Sequence, residues 1–172
     1  MVSGPPLIGI AGWKNSGKTT LVGRLVAALS RRGLRLATIK HTHHELRPHD
    51  GATDGERHAR AGAAIVAVVT PTQWELAGEP QSGAVPTLEE LAKRLGPADL
   101  VLVEGFKAAP IPKIEVRRLA SATREPLAAS DPHVIAIAAD HYVEAGATPV
   151  FALDDIEAIA DFIVETAGLK AR

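Results

Sequence analysis

Short, continuously apolar runs alternate with segments of helical period along most of this chain. Residues 7–11 form the first run, the pattern of a strand buried on both faces of a parallel sheet. Leu21, Leu25 and Leu29 then recur every four positions with Val22 and Val26 beside them. That is one helical face, and Arg31-Arg32-Gly33 is a stop signal for it. Residues 34–39 give a second strand. The opening of the chain therefore predicts a βαβ unit, with parallel pairing and a right-handed crossover.

Thr53 and Glu56 are spaced as a capping box that opens a short helix through Arg57, His58 and Arg60 to Gly62. Residues 63–69 read as a further strand and 73–76 as one more, followed by a Gly/Pro-rich loop. A second capping box, Thr87 with Glu90, opens a helix on which Leu88, Leu91, Ala92 and Leu95 face one way; Gly96-Pro97 ends it. Residues 99–105 read as a strand that delivers Glu104 to its carboxyl end. Residues 112–118 alternate apolar and charged side chains, which suggests a strand at a sheet edge. Residues 119–131 show no period. Strands at 133–138 and 149–153 follow. A last helix, capped by Asp154 or Asp155, places Ile156, Ile159, Ala160 and Ile163 on one face before Gly168. Strands alternating with helices define an α/β class.

The chemistry concentrates between the first strand and the first helix. Residues 12–19 read G-x-x-x-x-G-K-T, the phosphate-binding loop pattern, in a strand-loop-helix context. Gly12 and Gly17 let the backbone wrap closely, so that the N–H groups of Lys14, Asn15, Ser16 and their neighbours converge on phosphate. Lys18 reaches the outer phosphates, Thr19 offers a hydroxyl to magnesium, and Thr20 extends the site. The helix dipole faces the same anion. Glu104 resembles a Walker B acid, placed to hold magnesium opposite Thr19. The expected fold is thus a P-loop NTPase-like three-layer α/β/α domain with a mostly parallel central sheet, spanning residues 1–172 as a single nucleotide-binding domain.

Composition narrows the alternatives. Net charge is −1 and aromatics make up 3%, so neither a basic field nor stacking platforms point to nucleic acid. The chain has no cysteine, which removes disulfides and thiolate sites and fits a reducing compartment. No apolar run is long enough for a membrane span, so a cytoplasmic location is expected. His41, His43, His44 and His49 invite a metal reading, but no cysteine or spaced carboxylate completes a ligand set. Binding of an anionic ligand, or a solvated polar loop, accounts for them better. Asp50, Asp54 and His41 are candidates for positioning an attacking group. Lys107 or Arg57 could supply positive charge. Helix caps and surface ion pairs explain each of these equally well. Trp13 is either a stacking or partner-facing side chain or a partly buried loop residue.

Taken together, G-x-x-x-x-G-K-T-T, I-K-H-T-H-H, R-H-x-R-A-G-A, L-V-L-V-E-G-F-K and H-V-I-A-I-A-x-D resemble the MobB family of molybdopterin-guanine dinucleotide biosynthesis adapters, from about Ile8 to Phe162. The resemblance implies a GTP-binding protein with at most weak GTPase activity, often a homodimer. It implies assistance to the MobA nucleotidyltransferase, which attaches GMP to molybdopterin, itself a possible ligand. By the same analogy Gly12, Gly17, Lys18, Thr19 and Thr20 bind phosphate, and Thr19 and Glu104 hold Mg2+. Lys40 and His41 face the nucleotide cleft or a partner's ligand. No N-K-x-D guanine motif is present, so guanine is what the resemblance implies, with Asp140, at a strand end, a candidate base contact. Gly55 and Glu56 stand where the family carries a hydroxyl and an aromatic. Trp13 stands where dimeric relatives carry a signature lysine, with Lys14 one position off. The competing readings are an ATP-dependent small-molecule kinase or dethiobiotin synthetase-like ligase, and a metal-delivery GTPase using the His-rich loop. For dimer formation, the strand at 112–118 is the expected edge.

Overall fold

Strand β1 (Leu7–Ala11) opens the fold with four of its five residues buried. Helix α1 (Lys18–Arg31) buries Leu21, Val22, Leu25, Ala28 and Leu29, the face that the four-residue period predicts. The chain then returns as β2 (Leu36–Lys40). Strands β3 (Ile65–Val69) and β4 (Trp74–Gly78) come next, followed by helix α2 (Leu88–Arg94). Four further strands follow: β5 (Leu100–Glu104), β6 (Lys113–Arg117), β7 (Val134–Ala139) and β8 (Val150–Ala152). Helix α3 (Ile156–Thr166) is the last element. The structure is a computed structural model that describes residues 4–41, 57–58, 61–63, 65–78 and 86–170. It divides into two compact units, Met1–Thr42 with Leu91–Arg172, and His43–Glu90.

The first unit is built on a six-stranded sheet in the order β2-β5-β1-β6-β7-β8, and every neighbouring pair is parallel. Helices α1 and α3 pack on each other and against the sheet face that carries Ile8, Ile10, Leu102, Ile114, Val116 and Ala136. Asp155 caps α3 by accepting a hydrogen bond from the Ala158 N–H at 3.1 Å. The α/β class with a parallel central sheet is the one the sequence pattern predicts.

The second unit contains a hairpin. Strands β3 and β4 pair antiparallel in a two-stranded sheet of their own, from Ile65↔Gly78 to Val69↔Trp74. The expected alternation of strand and helix fails here for a physical reason. Residues 70–73 are too few for a parallel crossover, and the Thr70 hydroxyl closes the turn by accepting from the Gln73 N–H at 2.9 Å. The capping box Thr87/Glu90 forms as expected: Thr87 N–H donates to Glu90 Oε2 at 2.9 Å, and Glu90 N–H to Thr87 Oγ1 at 3.2 Å. The earlier capping box, Thr53 with Glu56, lies outside the described residues. A helical turn downstream of it survives in the hydrogen bonds from Ala61 N–H to Arg57 O and from Ala63 N–H to His58 O.

The reading of residues 112–118 as a sheet edge is corrected. Strand β6 lies between β1 and β7, and Lys113 and Glu115 are each 1% exposed. The alternating charges do not face water. The Lys113 ammonium pairs with Asp131, and Gly9 in β1 leaves room for its stem, since a Cβ there would lie 2.8 Å from Lys113 Cγ. Glu115 accepts from the Leu127 and Ala128 N–H groups, both at 2.9 Å, and from Arg117 at 2.8 Å. The aperiodic segment after β6 thus covers this face of the sheet and supplies the partners that make its charges tolerable.

Breaking a buried pair is costly because one charge is left uncompensated, by about 3–5 kcal/mol. Asp131→Ala, which strands the Lys113 ammonium, is therefore expected to destabilise by that order in urea unfolding. Lys113→Met should cost less, and the double variant should recover part of the loss. Burial pushes the Asp131 carboxyl up, but hydrogen bonds from Lys113 and from the His133 N–H and ring outweigh it and hold it low. A lowered carboxyl stabilises fully above its unfolded pKa and loses that contribution as pH falls through the folded value. Asp131→Asn should accordingly flatten the acid limb of stability against pH.

Candidate functional site

At Gly12 (φ 151°) a Cβ would lie 2.6 Å from the Val116 carbonyl oxygen and 2.7 Å from Ser16 Oγ, so the turn leaving β1 admits only glycine. Asn15 (φ 62°) and Gly17 (φ 92°) are left-handed, which curls the backbone around a concavity. Gly17 caps α1 without any side-chain hydrogen bond, and the first turn of the helix carries no acid. The positive end of the helix is therefore left for an external anion. An open cleft of about 310 Å³ lies over this loop, lined by Asn15, Gly17, Lys18, Thr19, Thr20 and Arg118. Lys14 beside it is exposed.

Lys18 Nζ donates to the Trp13 carbonyl across the loop at 2.6 Å. Burial pulls its pKa below the ordinary lysine value. Glu104 acts in the opposite direction, while Lys107 and Lys40 add to the lowering. A cation held this way gains most from a ligand that brings negative charge.

Register assembles the second half of the site. Parallel pairing sets Glu104 beside Ile10 on one side and beside Lys40 on the other. Thr19 Oγ1 donates to Glu104 Oε1 at 2.6 Å. Lys40 Nζ lies 3.2 Å from the Thr19 hydroxyl and 3.3 Å from the same carboxylate oxygen. Glu104 is 8% exposed, and these contacts satisfy it. A hydroxyl and a buried carboxylate are hard oxygen donors of the kind Mg2+ takes, and they stand at the mouth of a phosphate-shaped loop, so the residues present fit a magnesium ion. Among the described residues no group of three or more His, Asp or Glu side chains could hold a metal by itself. His43, His44, His49, Asp50 and Asp54 lie outside the described residues.

The structure places the remaining sequence candidates as follows. His41 N–H donates to Glu104 O at 2.9 Å, and its ring packs on Phe106 with centroids 4.7 Å apart. Asp140 is turned to its own surroundings. It accepts from the Leu119 N–H at 2.8 Å and contacts His141 Nδ1 at 2.9 Å, with Arg118 at 3.6 Å. The bond from His141 is the largest influence holding its carboxyl low. Trp13 donates its indole N–H to Glu125 O at 2.7 Å, and Lys107 Nζ lies 3.7 Å from the centre of its ring. Arg57 sits in the helical turn of the second unit.

Arg118 was not among the sequence candidates. The signal that points to it is its place just past the carboxyl end of an interior parallel strand, where α/β sheets bind ligands. Behind the loop, Ser16 Oγ, Arg117 Nε and Ser121 Oγ have no hydrogen-bond partner among the described residues. All three residues line one cavity of about 20 Å³, room for a single water to bond them.

The sequence model of the family described as "MobB: Molybdopterin guanine dinucleotide synthesis protein B" matches residues 7–140. The molybdopterin-guanine dinucleotide biosynthesis adapter protein of Escherichia coli is 38% identical over 93% of this chain and 92% of its own. That of Haemophilus influenzae is 37% identical over 92% of this chain and 87% of its own. The crystal structure of Bacillus subtilis MobB superposes with a TM-score of 0.76 at 29% identity, covering 97% of this chain and 99% of that one. A crystal structure of molybdopterin-guanine biosynthesis protein B gives 0.73 at 25%, covering 94% and 99%. The family match takes in most of the chain, the two curated relatives align almost end to end with it, and the structural neighbours superpose over nearly its whole length: the chain belongs to the MobB family.

Proposed function

We propose that this protein binds GTP with magnesium and serves as an adapter in molybdopterin guanine dinucleotide biosynthesis, supporting a MobA-type guanylyltransferase. The observation that carries the reading is the convergence of Lys18, the uncapped N-terminus of α1 and the Thr19–Glu104 pair on one open cleft, in a chain of the MobB family. We read residues 1–172 as one nucleotide-binding domain in which 43–90 is inserted, acting in the cytoplasm as a homodimer. No helix among the described residues is long and apolar enough to cross a membrane. Pairing through β6 is excluded, because both of its edges are already occupied by β1 and β7. Among the described residues, the outer strands of the sheet are β2 and β8.

On this reading the loop N–H groups and Lys18 take the outer phosphates, Thr20 and Arg118 the inner one, and Lys40 adds positive charge beside Glu104. Thr19 and Glu104 would hold the magnesium ion, which neutralises charge on the phosphate oxygens when bound. On this reading hydrolysis is slow, because Glu104 is committed to magnesium with Thr19 and the described residues lining the cleft include no further carboxylate to orient water. That suits a protein that presents a nucleotide rather than consumes it.

Calorimetry with GTP and ATP at matched magnesium tests the reading, with GTP expected to bind more tightly and to turn over little. Lys18→Ala should weaken GTP by roughly 10- to 100-fold, the loss of a charged hydrogen bond. Preference for ATP, with turnover stimulated by a small-molecule acceptor, would overturn it. Glu104→Gln should leave magnesium-free binding nearly unchanged while reducing the gain that magnesium brings. The lowered pKa of Lys18 adds a pH signature. Phosphate raises that pKa on binding, so a proton is taken up in the window between the free and bound values. Affinity should be flat below that window and fall as pH rises through the free value.

A further inference from the structure

The cleft over the phosphate loop continues past Thr20. A second hollow of about 90 Å³ shares Gly17, Thr20 and Arg118 with it, and runs on to Arg24, Leu153 and Asp154. These residues come from the first turns of α1 and from the carboxyl ends of β6 and β8, the edge at which parallel sheets present ligands. A nucleotide with its outer phosphates at Lys18 and Thr19 and its inner phosphate at Thr20 has its nucleoside directed into this hollow. Beyond Arg118, which meets the inner phosphate, Leu153 offers an apolar surface suited to the face of a purine.

The polar group at the far end is a carboxylate. Arg24 Nη1 donates to Asp154 Oδ1 at 2.6 Å, and Arg24 Nη2 to the Asp154 carbonyl oxygen at 3.3 Å, which fixes the residue at two points. The Asp154 side chain nevertheless remains 89% exposed, so its oxygens keep lone pairs for another donor. An ionised carboxylate only accepts hydrogen bonds. Guanine presents N1–H and its 2-amino group side by side, two donors matched to the two oxygens. Adenine sets a lone pair at N1 against the carboxylate, and xanthine sets a carbonyl at C2 against it. Asp140, the candidate suggested by its place at a strand end, is already bonded to Leu119 and His141.

We propose that Asp154, positioned by Arg24, is the residue that selects guanine in this protein. The proposal rests on the nucleotide-binding reading above and adds to it a specific base-reading group.

Calorimetry of the full chain with GTP, XTP, ATP and tripolyphosphate tests it in the wild type and in Asp154→Asn. An asparagine keeps an acceptor for N1–H but turns a donor toward C2, where xanthine has an oxygen. The variant is expected to shift the GTP-to-XTP affinity ratio toward XTP by about 10- to 100-fold, the span of one bidentate base contact. Tripolyphosphate, which has no base, should bind both proteins alike and reports that the variant is folded. A wild type that prefers GTP and a variant that keeps the same ratio would overturn the assignment to Asp154 and leave nucleotide binding standing. Loss of GTP without gain of XTP, tripolyphosphate binding being intact, would overturn it as well. A wild type that binds neither GTP nor tripolyphosphate would instead overturn the nucleotide reading, and this proposal with it.

Discussion

Parallel register among β2, β5 and β1 decides what can stand at the carboxyl edge of the sheet. Because Glu104 is level with both Lys40 and Ile10, a strand that ends in an acid sets that acid against a cation on one side and the start of the phosphate loop on the other. Slipping any of the three strands by one residue would send these side chains to opposite faces. The loop has as little freedom. The Val116 carbonyl and Ser16 Oγ leave no space for a side chain at Gly12, and α1 begins where the loop ends. Site geometry and core packing are therefore one constraint, since the helix that starts from the loop is the helix that buries Leu21, Leu25 and Leu29.

The placement of β6 shows how local reasoning goes astray. Lys113, Glu115 and Arg117 at alternate positions carry the pattern of a half-solvated strand, and the pattern is sound as far as it goes. What it omits is that the other face can be covered by irregular chain. The segment from 118 to 131 has no period because its task is hydrogen bonding. It supplies Asp131 to Lys113 and two backbone N–H groups to Glu115. Those partners lie 12 to 18 residues away along the sequence, beyond the reach of any short window.

The phosphate loop, the Thr19–Glu104 pairing and the helices were legible in the sequence, for opposite reasons. The loop is a local motif whose backbone geometry follows from its own glycines. The pairing spans 85 residues but was inferable because a buried strand with a terminal acid has one natural place in such a sheet. Arg118, Arg24 and Asp154 were not legible as a group. Arg24 stands on α1, Arg118 just past β6 and Asp154 just past β8, and they meet around a hollow that exists only once α1 is packed on the assembled sheet. Asp140 does stand at a strand end, and its Oδ1 is engaged by Leu119 and His141, a local commitment that no spacing rule reveals.

The charge around the loop has a consistent sense. Lys18, Lys40, Lys107 and Arg118 gather positive charge on a chain whose net charge is −1, and Lys107 and Lys40 each lower the Lys18 pKa by repulsion. Crowding cations costs stability unless an anion joins them, so such a cluster favours a negatively charged ligand. Glu104, and Asp140 beside Arg118, offset part of this, and the Glu104 carboxylate is already shared between Thr19 and Lys40. A hydrolase needs, in addition, a base free to orient water at the moment of attack. An environment that gathers cations at the loop and commits its nearby carboxylate to Thr19 and Lys40 favours, on the reading proposed above, retention of a phosphate ligand over its turnover.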